Sequence, residues 1–153
     1  MDVSDGTGGD GFSADIFGAN IPFVGYCGIV PIRTGKDGTR LEVEIGDHHA
    51  NQMGVAHGGL LMTLLDVAMG SAARVHADAN VMTVDMQTAF VAPARGRLSG
   101  EGRVVRAGKS LVFVEGDVRD ADGQLVAKGT SVFKVARQRD PLPEGEGGRA
   151  ATG

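Results

Sequence analysis

The 153-residue chain has a single cysteine, Cys27, and no excess of basic residues. One cysteine cannot form an intrachain disulfide, which fits a protein from a reducing compartment. Lysine and arginine number 15 against 19 aspartate and glutamate residues, so the formal net charge is −4. This balance argues against nucleic-acid binding, which usually requires a basic face or stripe.

The sequence also lacks a long hydrophobic run and a recognisable leader. Its longest apolar segment, residues 60–73, is shorter than the roughly 18 residues that a membrane span needs, and Asp66 interrupts it. The first eleven residues contain neither a basic start nor an apolar stretch, so no signal peptide is expected. These absences favour a cytoplasmic protein that does not enter a membrane.

Both ends of the chain are rich in small and polar residues. Residues 1–11 contain mainly Gly, Asp and Ser, and residues 138–153 repeat this character with two prolines. Neither end can bury enough apolar surface to offset the entropy of ordering, so both are predicted to be disordered tails. The region between them, residues 12–137, has no linker and no internal repeat, which predicts a single domain.

Within this domain the hydrophobic pattern changes from a strand to a helix. Leu41, Val43 and Ile45 alternate with charged residues, which predicts a strand with one buried face. Residues 57–74 have the length of a helix, and apolar residues lie nearly all round it. This distribution predicts a buried helix.

Four strand-like runs follow the helix over residues 81–136. Their joints at residues 93–96, 107–109 and 122–123 are compact turn signals, so hairpins are predicted at all three. One helix followed by strands in tight succession favours an antiparallel sheet. The predicted fold class is therefore α+β, with a curved antiparallel sheet wrapped around one long central helix.

Asp66 lies in the middle of the apolar helix, where a buried carboxylate without a partner would be destabilising. At about 3.6 residues per turn it shares a face with the small residues Gly59, Gly70 and Ala73. A second subunit, a ligand or both could approach this face closely. A structural alternative is that Asp66 pairs with Arg74 of a neighbouring subunit, or caps a backbone group.

The helix begins on Gly58 and Gly59. The first N–H groups of a helix have no internal partner and lie in the positive potential of the helix dipole. Glycine has no side chain to keep a ligand away from them. The pair indicates a cradle for an anion, or for a carbonyl oxygen that becomes one, against the alternative of a flexible helix entry.

Asn51, the run His57-Gly58-Gly59 and Asp66 inside an apolar helix together resemble the signature of hotdog-fold acyl-CoA thioesterases. The similarity is greatest to the branch that includes the phenylacetate-pathway enzymes. The spacing matches from Asn51 to Asp66 without a gap, and the resemblance extends over about residues 20–136. It implies a hotdog fold, in which an antiparallel sheet wraps around one helix.

The resemblance also implies a homodimer with shared active sites, and a dimer of dimers is expected. Gly58 would donate its backbone N–H to the thioester carbonyl, and Asn51 and His57 would orient the thioester or the water. Asp66 of the other subunit would act as general base or nucleophile, while Thr83 would hold the attacking water. Strict alternation along the strand places Thr83 opposite the methionines, away from the helix if the methionine face covers it, unless a β-bulge or strand end redirects it.

Coenzyme A would bind as part of the substrate, so no separate cofactor is implied. Gly59 would contact the substrate beside the oxyanion cradle. Arg106 and Lys109 flank Gly108 at a turn, and the family places coenzyme A near such a turn, so its phosphates are expected there.

His48 and His49 adjoin Asp47, and such a cluster raises the question of a metal site. Neighbouring side chains on an extended segment point apart, however, and no further Cys or Asp stands at ligand spacing. A solvated turn is therefore predicted, with no metal.

The activity that the resemblance implies is hydrolysis of a medium-chain or aryl acyl-CoA to the free acid and coenzyme A. A thiol titrates near about 8.5, so the leaving thiolate needs little protonation and one carboxylate with one oxyanion cradle suffices. Consistently, the chain has no Gly-x-Ser-x-Gly nucleophile motif. Two alternatives stay open: a hydratase acting on enoyl thioesters, for which His57 and Asp66 would supply the acid–base pair, and a non-catalytic acyl-CoA sensor.

Overall fold

The computed structural model describes residues 13–136. The predicted tails, residues 1–11 and 138–153, lie outside the described residues. In chain order the elements are β1 (Asp15–Ile16), β2 (Ala19–Asn20), α1 (Pro22–Tyr26), β3 (Val30–Gly35), β4 (Gly38–Glu44), a 3-10 turn (Asp47–His49), α2 (Gly58–Ala77), β5 (Val81–Phe90), β6 (Arg97–Ala107), β7 (Leu111–Asp120) and β8 (Leu125–Val135).

The main sheet has six strands in the order β3-β4-β6-β7-β8-β5, and every neighbouring pair is antiparallel. Helix α2 lies against all six strands. It has the length and the mean hydropathy, 1.2, of a membrane span, but ten of its twenty residues are buried, as in a core helix. The predicted fold class, an antiparallel sheet wrapped around one long central helix, is confirmed.

The strand order corrects one of the predicted hairpins. Residues 93–96 do not close a hairpin, because β5 pairs with β8 at the sheet edge whereas β6 pairs with β4 and β7. The connection instead packs against the loop that precedes α2. The Ala56 N–H donates to the Ala94 carbonyl at 2.9 Å, and the Arg95 guanidinium donates to the Gly54 carbonyl.

Strand β3 was not predicted from the sequence. Five of its six residues are exposed, so it carries no alternation between buried and solvent-facing positions. Its neighbour β4 shows the predicted alternation, with Leu41 and Val43 only 0% and 2% exposed. Because β3 lies at the sheet edge, its pairing with β4 is what makes it a strand.

Glycines on the central strands let α2 approach the sheet closely. A Cβ atom at Gly100 would lie 2.6 Å from Leu64 Cγ, and one at Gly116 would lie 2.9 Å from Met69 Cγ. A Cβ at Gly102 would meet the Ala68 carbonyl and, at 2.7 Å, the Met69 amide nitrogen. The strand backbone therefore packs directly against the helix, and this contact fixes the rotation of α2 about its axis.

We predict that Gly102→Ala destabilises the protein by about 1–3 kcal/mol, the usual range for overpacking a close-packed core. The clash is with helix backbone, which cannot move aside as a flexible side chain would. The free energy of unfolding from chemical denaturation measures the effect. Gly35→Ala is the matched control, because a Cβ there meets nothing within 4 Å. Equal stability of the two variants would contradict the close-approach argument.

Candidate active site

The central feature of the site is a hydrogen bond between the helix and the edge strand. Thr83 on β5 donates its hydroxyl to Asp66 Oδ1 at 2.8 Å. Asp66 is half-buried and Thr83 is exposed, so the pair is accessible from solvent in the single chain. Asp66 thus has a hydrogen-bond partner within a mainly apolar stretch of α2, and it faces outward from the core.

A β-bulge directs Thr83 towards the helix. Thr83 pairs with Phe133 and Met86 pairs with Ser131, and these two partners on β8 are only 2% and 3% exposed. Directly paired residues share a face of the sheet, so both Thr83 and Met86 lie on the helix side. The register shifts between Thr83 and Asp85. The exception that the sequence analysis allowed therefore applies: a bulge inserts one extra residue into β5, so strict alternation does not hold at Thr83.

The Asp66–Thr83 pair opens into a long groove of about 1450 Å³ between α2, β5 and the N-terminal elements. Its walls are largely apolar, and polar side chains lie near the C-terminal end of the helix. The apolar lining includes Phe17, Phe23, Met62, Val67, Met86 and Phe133, and the polar lining includes Arg74, Asp78 and Asn80.

The hairpin formed by β1 and β2 provides one wall of this groove and was not predicted from the sequence. Its two-residue turn, Phe17-Gly18, has positive φ at both positions, 52° and 83°. This is the geometry of a type I′ hairpin turn, for which the sequence signal is a glycine beside a short polar residue. Asp15 Oδ1 accepts a hydrogen bond from the Gly18 N–H at 2.7 Å. The sequence lacks this signal, because Phe17 and not a short polar residue occupies the first turn position.

At its N-terminus α2 keeps one backbone donor free. His57 is the N-cap, and its Nδ1 accepts the Gly59 N–H at 2.8 Å. The N–H groups of Leu60 and Leu61 donate to the His57 carbonyl at 3.0 and 3.3 Å. Within residues 13–136 the Gly58 N–H has no hydrogen-bond partner, and it points out of a helix N-terminus, where the dipole favours negative charge.

His57 and Asn51, in the loop that leads into α2, also keep hydrogen-bond donors free. The His57 Nδ1 is an acceptor, so in the neutral imidazole the proton is on Nε2. Asn51 Oδ1 accepts the N–H groups of Met53 and Val55 at 2.9 and 3.3 Å, which leaves the side-chain amide N–H groups to donate. The acceptor atoms of both side chains hold the local backbone, and the free atoms are hydrogen-bond donors.

The predicted site residues fall into three clusters that do not meet in one chain. Asp66 with Thr83 forms the first, and Asn51, His57, Gly58 and Gly59 form the second. Asp66 and Gly58 are eight residues apart on the same helix, which separates them by about 12 Å along its axis. The third cluster, Arg106, Gly108 and Lys109, is exposed at the β6–β7 turn and does not line the groove of Asp66.

Of the two neighbouring histidines before the helix, His49 has a structural role. His49 is only 7% exposed; its Nδ1 accepts the Gly46 N–H at 3.0 Å and its Nε2 donates to the Cys27 carbonyl at 2.7 Å. The prediction of a solvated turn is therefore wrong for His49, although His48 is exposed. Among residues 13–136 no three His, Cys, Asp or Glu side chains cluster to hold a metal ion.

Cys27 lies under this turn, and burial raises the pKa of its thiol, which disfavours the reactive thiolate.

Comparison with known proteins identifies the family. The model of the thioesterase superfamily matches residues 53–127. The chain is 32% identical over 101 residues to a Saccharolobus solfataricus protein named provisionally as an esterase, covering 65% of this chain and 72% of that one. It is 33% identical over 95 residues to acyl-coenzyme A thioesterase 13 of Homo sapiens, covering 58% of this chain and 66% of that protein.

Solved structures agree with this assignment. A conserved protein of Pseudomonas aeruginosa superposes with a TM-score of 0.72 at 30% identity, over 75% of this chain and 94% of that one. The PaaI protein of the E. coli phenylacetic acid degradation operon has a TM-score of 0.73 at 18% identity, over 77% of this chain and 86% of that one, and supports the fold alone. The fold is the hotdog fold. The chain belongs to the thioesterase superfamily, and thioester hydrolysis is the general activity that these similarities support.

We predict that His57→Ala destabilises the protein by about 0.5–2 kcal/mol, because the Gly59 N–H loses its capping acceptor. His57→Asn should retain most of this stability, since the Asn side chain is a good N-cap acceptor. Thermal unfolding of both variants tests the assignment, with exposed His48→Ala as the control. An unaltered melting temperature for His57→Ala would show that the cap contributes nothing.

Proposed function

We propose that this protein is an acyl-CoA thioesterase that hydrolyses a medium-chain or aryl acyl-CoA to the free acid and coenzyme A. The observation that carries the proposal is the Thr83–Asp66 hydrogen bond at the mouth of an apolar groove. A carboxylate in this setting does little for packing, and it is well placed to act on a bound thioester. The free Gly58 N–H at the start of α2, contributed by a second copy of the chain, would supply the complementary donor.

In the proposed reaction, water binds beside the hydrogen-bonded Asp66–Thr83 pair and donates to the Asp66 carboxylate. Asp66 removes a proton from this water while the water oxygen attacks the thioester carbon. The carbonyl oxygen becomes an oxyanion, which the Gly58 N–H of a second copy of the chain would hold. Collapse of the tetrahedral intermediate breaks the C–S bond, and the thiolate of coenzyme A leaves. Direct attack by Asp66, giving an anhydride that water then hydrolyses, uses the same groups.

The distance between the two halves of the site supports a shared active site. Because Asp66 and Gly58 of one chain are about 12 Å apart along α2, they cannot both contact one thioester group. Strand β5 lies at a sheet edge and pairs only with β8 in the described part of the chain, and long unpaired edges are normally covered. A two-fold related copy across this edge would bring its Gly58 towards Asp66.

An apolar patch on the opposite side of the sheet supports a dimer of dimers. Leu111 and Phe113 alternate with buried Val112 and Val114, so they face away from α2, and they are 39% and 43% exposed. Val105, on the neighbouring strand, is 62% exposed. Apolar patches of this kind are typical of contacts between subunits.

The exposed β6–β7 turn is the proposed site for coenzyme A phosphates. Arg106 and Lys109 lie on either side of Gly108, whose N–H donates to the Leu111 carbonyl at 2.8 Å and closes the turn. Gly59 would contact the thioester region beside Gly58. We place the protein in the cytoplasm, where acyl-CoA is available, and propose that coenzyme A enters only as part of the substrate.

We predict that Asp66→Asn lowers turnover of an accepted acyl-CoA by about 100- to 10,000-fold, the usual loss on removing a general base. Asparagine has nearly the same volume and still accepts from Thr83, so the melting temperature should not fall. Thiol release and thermal unfolding measure the two effects, with Asp37→Asn at an exposed turn as the matched control. An Asp66→Asn variant that kept more than about a tenth of the activity would contradict the proposed chemistry.

The same assay tests the role of Thr83. Thr83→Val should lower turnover on the order of tenfold through loss of one hydrogen bond, and Thr83→Ser should restore most of it.

An enoyl substrate, crotonyl-CoA, separates the alternative functions. Loss of enoyl absorbance without thiol release would indicate a hydratase, and binding without any turnover would indicate a sensor.

We predict that two inactive variants restore activity when their subunits are mixed. Gly58→Pro removes the N–H at the first helical position, where proline is tolerated, and Asp66→Asn removes the carboxylate. A dimer with one chain of each kind has one intact shared site, so a random mixture should recover about a quarter of wild-type activity. No recovery on co-refolding, or an active monomer in sedimentation at micromolar concentration, would exclude the shared site.

A further inference from the structure

The groove that begins at Asp66 leads along α2 to Arg74. These residues are eight positions apart, which corresponds to about 12 Å along the helix axis. Both line the groove, and between them it is lined by Val67, Gly70 and Ser71 on the helix and by Phe133 on the sheet. An acyl group whose carbonyl carbon lies at Asp66 would therefore direct its far end towards a guanidinium.

The Arg74 guanidinium is positively charged and has N–H groups that can bind a further acceptor. It is half-buried, and its Nη1 donates to the Phe17 carbonyl at 3.0 Å. In the described part of the chain no carboxylate lies within ion-pair distance of it, although Asp78 lines the same groove one turn further on. A guanidinium has five N–H donors, and a partly desolvated cation is stabilised by an anionic partner.

We propose that Arg74 selects acyl groups with a carboxylate at the far end, so that the substrates are coenzyme A monothioesters of medium-length dicarboxylic acids. This inference rests on the proposed thioesterase function. Arginine matches a carboxylate with two parallel N–H···O bonds, which a plain alkyl chain or an unsubstituted ring cannot form. The apolar walls would contact the methylene chain. The thioester end of the acyl group would be held by Gly58 of a second copy of the chain, and the far end by Arg74.

The substrates that test the proposal are octanoyl-CoA and the coenzyme A monothioester of octanedioic acid, which have the same number of carbons. The wild type should have the higher kcat/KM for the octanedioic thioester. In Arg74→Gln the ratio of the two kcat/KM values should fall by about 10- to 100-fold, as expected for loss of a hydrogen bond to a charged group. The change should be mainly in KM, because Arg74 is remote from the reacting carbon. Arg74→Lys should retain part of the preference.

Asp78→Asn should change the ratio of the two kcat/KM values in the opposite direction. It removes a negative charge from the groove, and asparagine tolerates the left-handed φ of 48° at this position. The ratio should therefore rise. If Arg74 only tethers the hairpin through the Phe17 carbonyl, Arg74→Gln will lower both activities equally and leave the ratio unaltered, and the proposal is overturned. A wild-type preference for octanoyl-CoA would overturn it as well.

A binding measurement separates this inference from the proposed function. Isothermal titration of Asp66→Asn with each thioester measures affinity in a variant that retains the groove, with and without Arg74→Gln. If the wild type hydrolyses neither of these thioesters nor an aryl acyl-CoA, but Arg74-dependent binding of the octanedioic thioester persists, the thioesterase function fails and the specificity stands. Equal affinities for both thioesters would exclude the role of Arg74 whether or not hydrolysis occurs.

Discussion

The structure depends on the close approach of α2 to the sheet. Side chains at Gly100, Gly102 and Gly116 would overlap Leu64, Ala68 and Met69, so the helix lies directly on the strand backbone. This contact fixes which face of the helix is buried. Because the apolar residues take that face, Asp66 must lie on the remaining one, next to the edge strand. The position of the Asp66 carboxylate is thus a consequence of core packing. Its chemical environment is set by the residues next to the helix face that does not pack on the sheet.

Strand β5 lies beside the helix face that carries Asp66, and one extra residue in β5 changes the direction of the Thr83 side chain. Without the bulge, Thr83 would face away from α2, and Asp66 would lack its hydrogen-bond donor. A bulge on an edge strand disrupts pairing with only one neighbour, so an edge accommodates it more readily than a central strand. The same edge is the proposed contact with a second subunit. A local irregularity therefore completes the polar pair at the surface where the other half of the site is expected.

The sequence was sufficient for features whose signals are local. Alternation identified β4 and continuous apolar character identified α2, whereas the assignment of Asp66 to a catalytic site stays a prediction. The failures have a common physical cause. Residues 93–96 carry turn-forming residues, but whether a turn makes a hairpin depends on β8, about 35 residues later in the chain, which pairs with β5. The orientation of Thr83 depends on the same distant partner, and β3 is a strand only because β4 is beside it. Pairing with remote residues outweighs local pattern in each case.

Helix α2 supplies two different electrostatic elements, and their separation is the reason for proposing a site shared between two chains. Its N-terminus offers backbone donors in a positive potential, and His57 and Asn51 use their acceptor atoms internally so that only donors remain. Its middle offers a carboxylate. Hydrolysis of a thioester needs a donor for the oxygen and a base for the water within a few ångströms of one carbon. On a rigid helix these elements are two turns apart. In the proposed dimer, an antiparallel copy of the same helix would remove this mismatch without moving either group. A two-fold axis that brought the start of one helix beside the middle of the other would generate two equivalent sites at once.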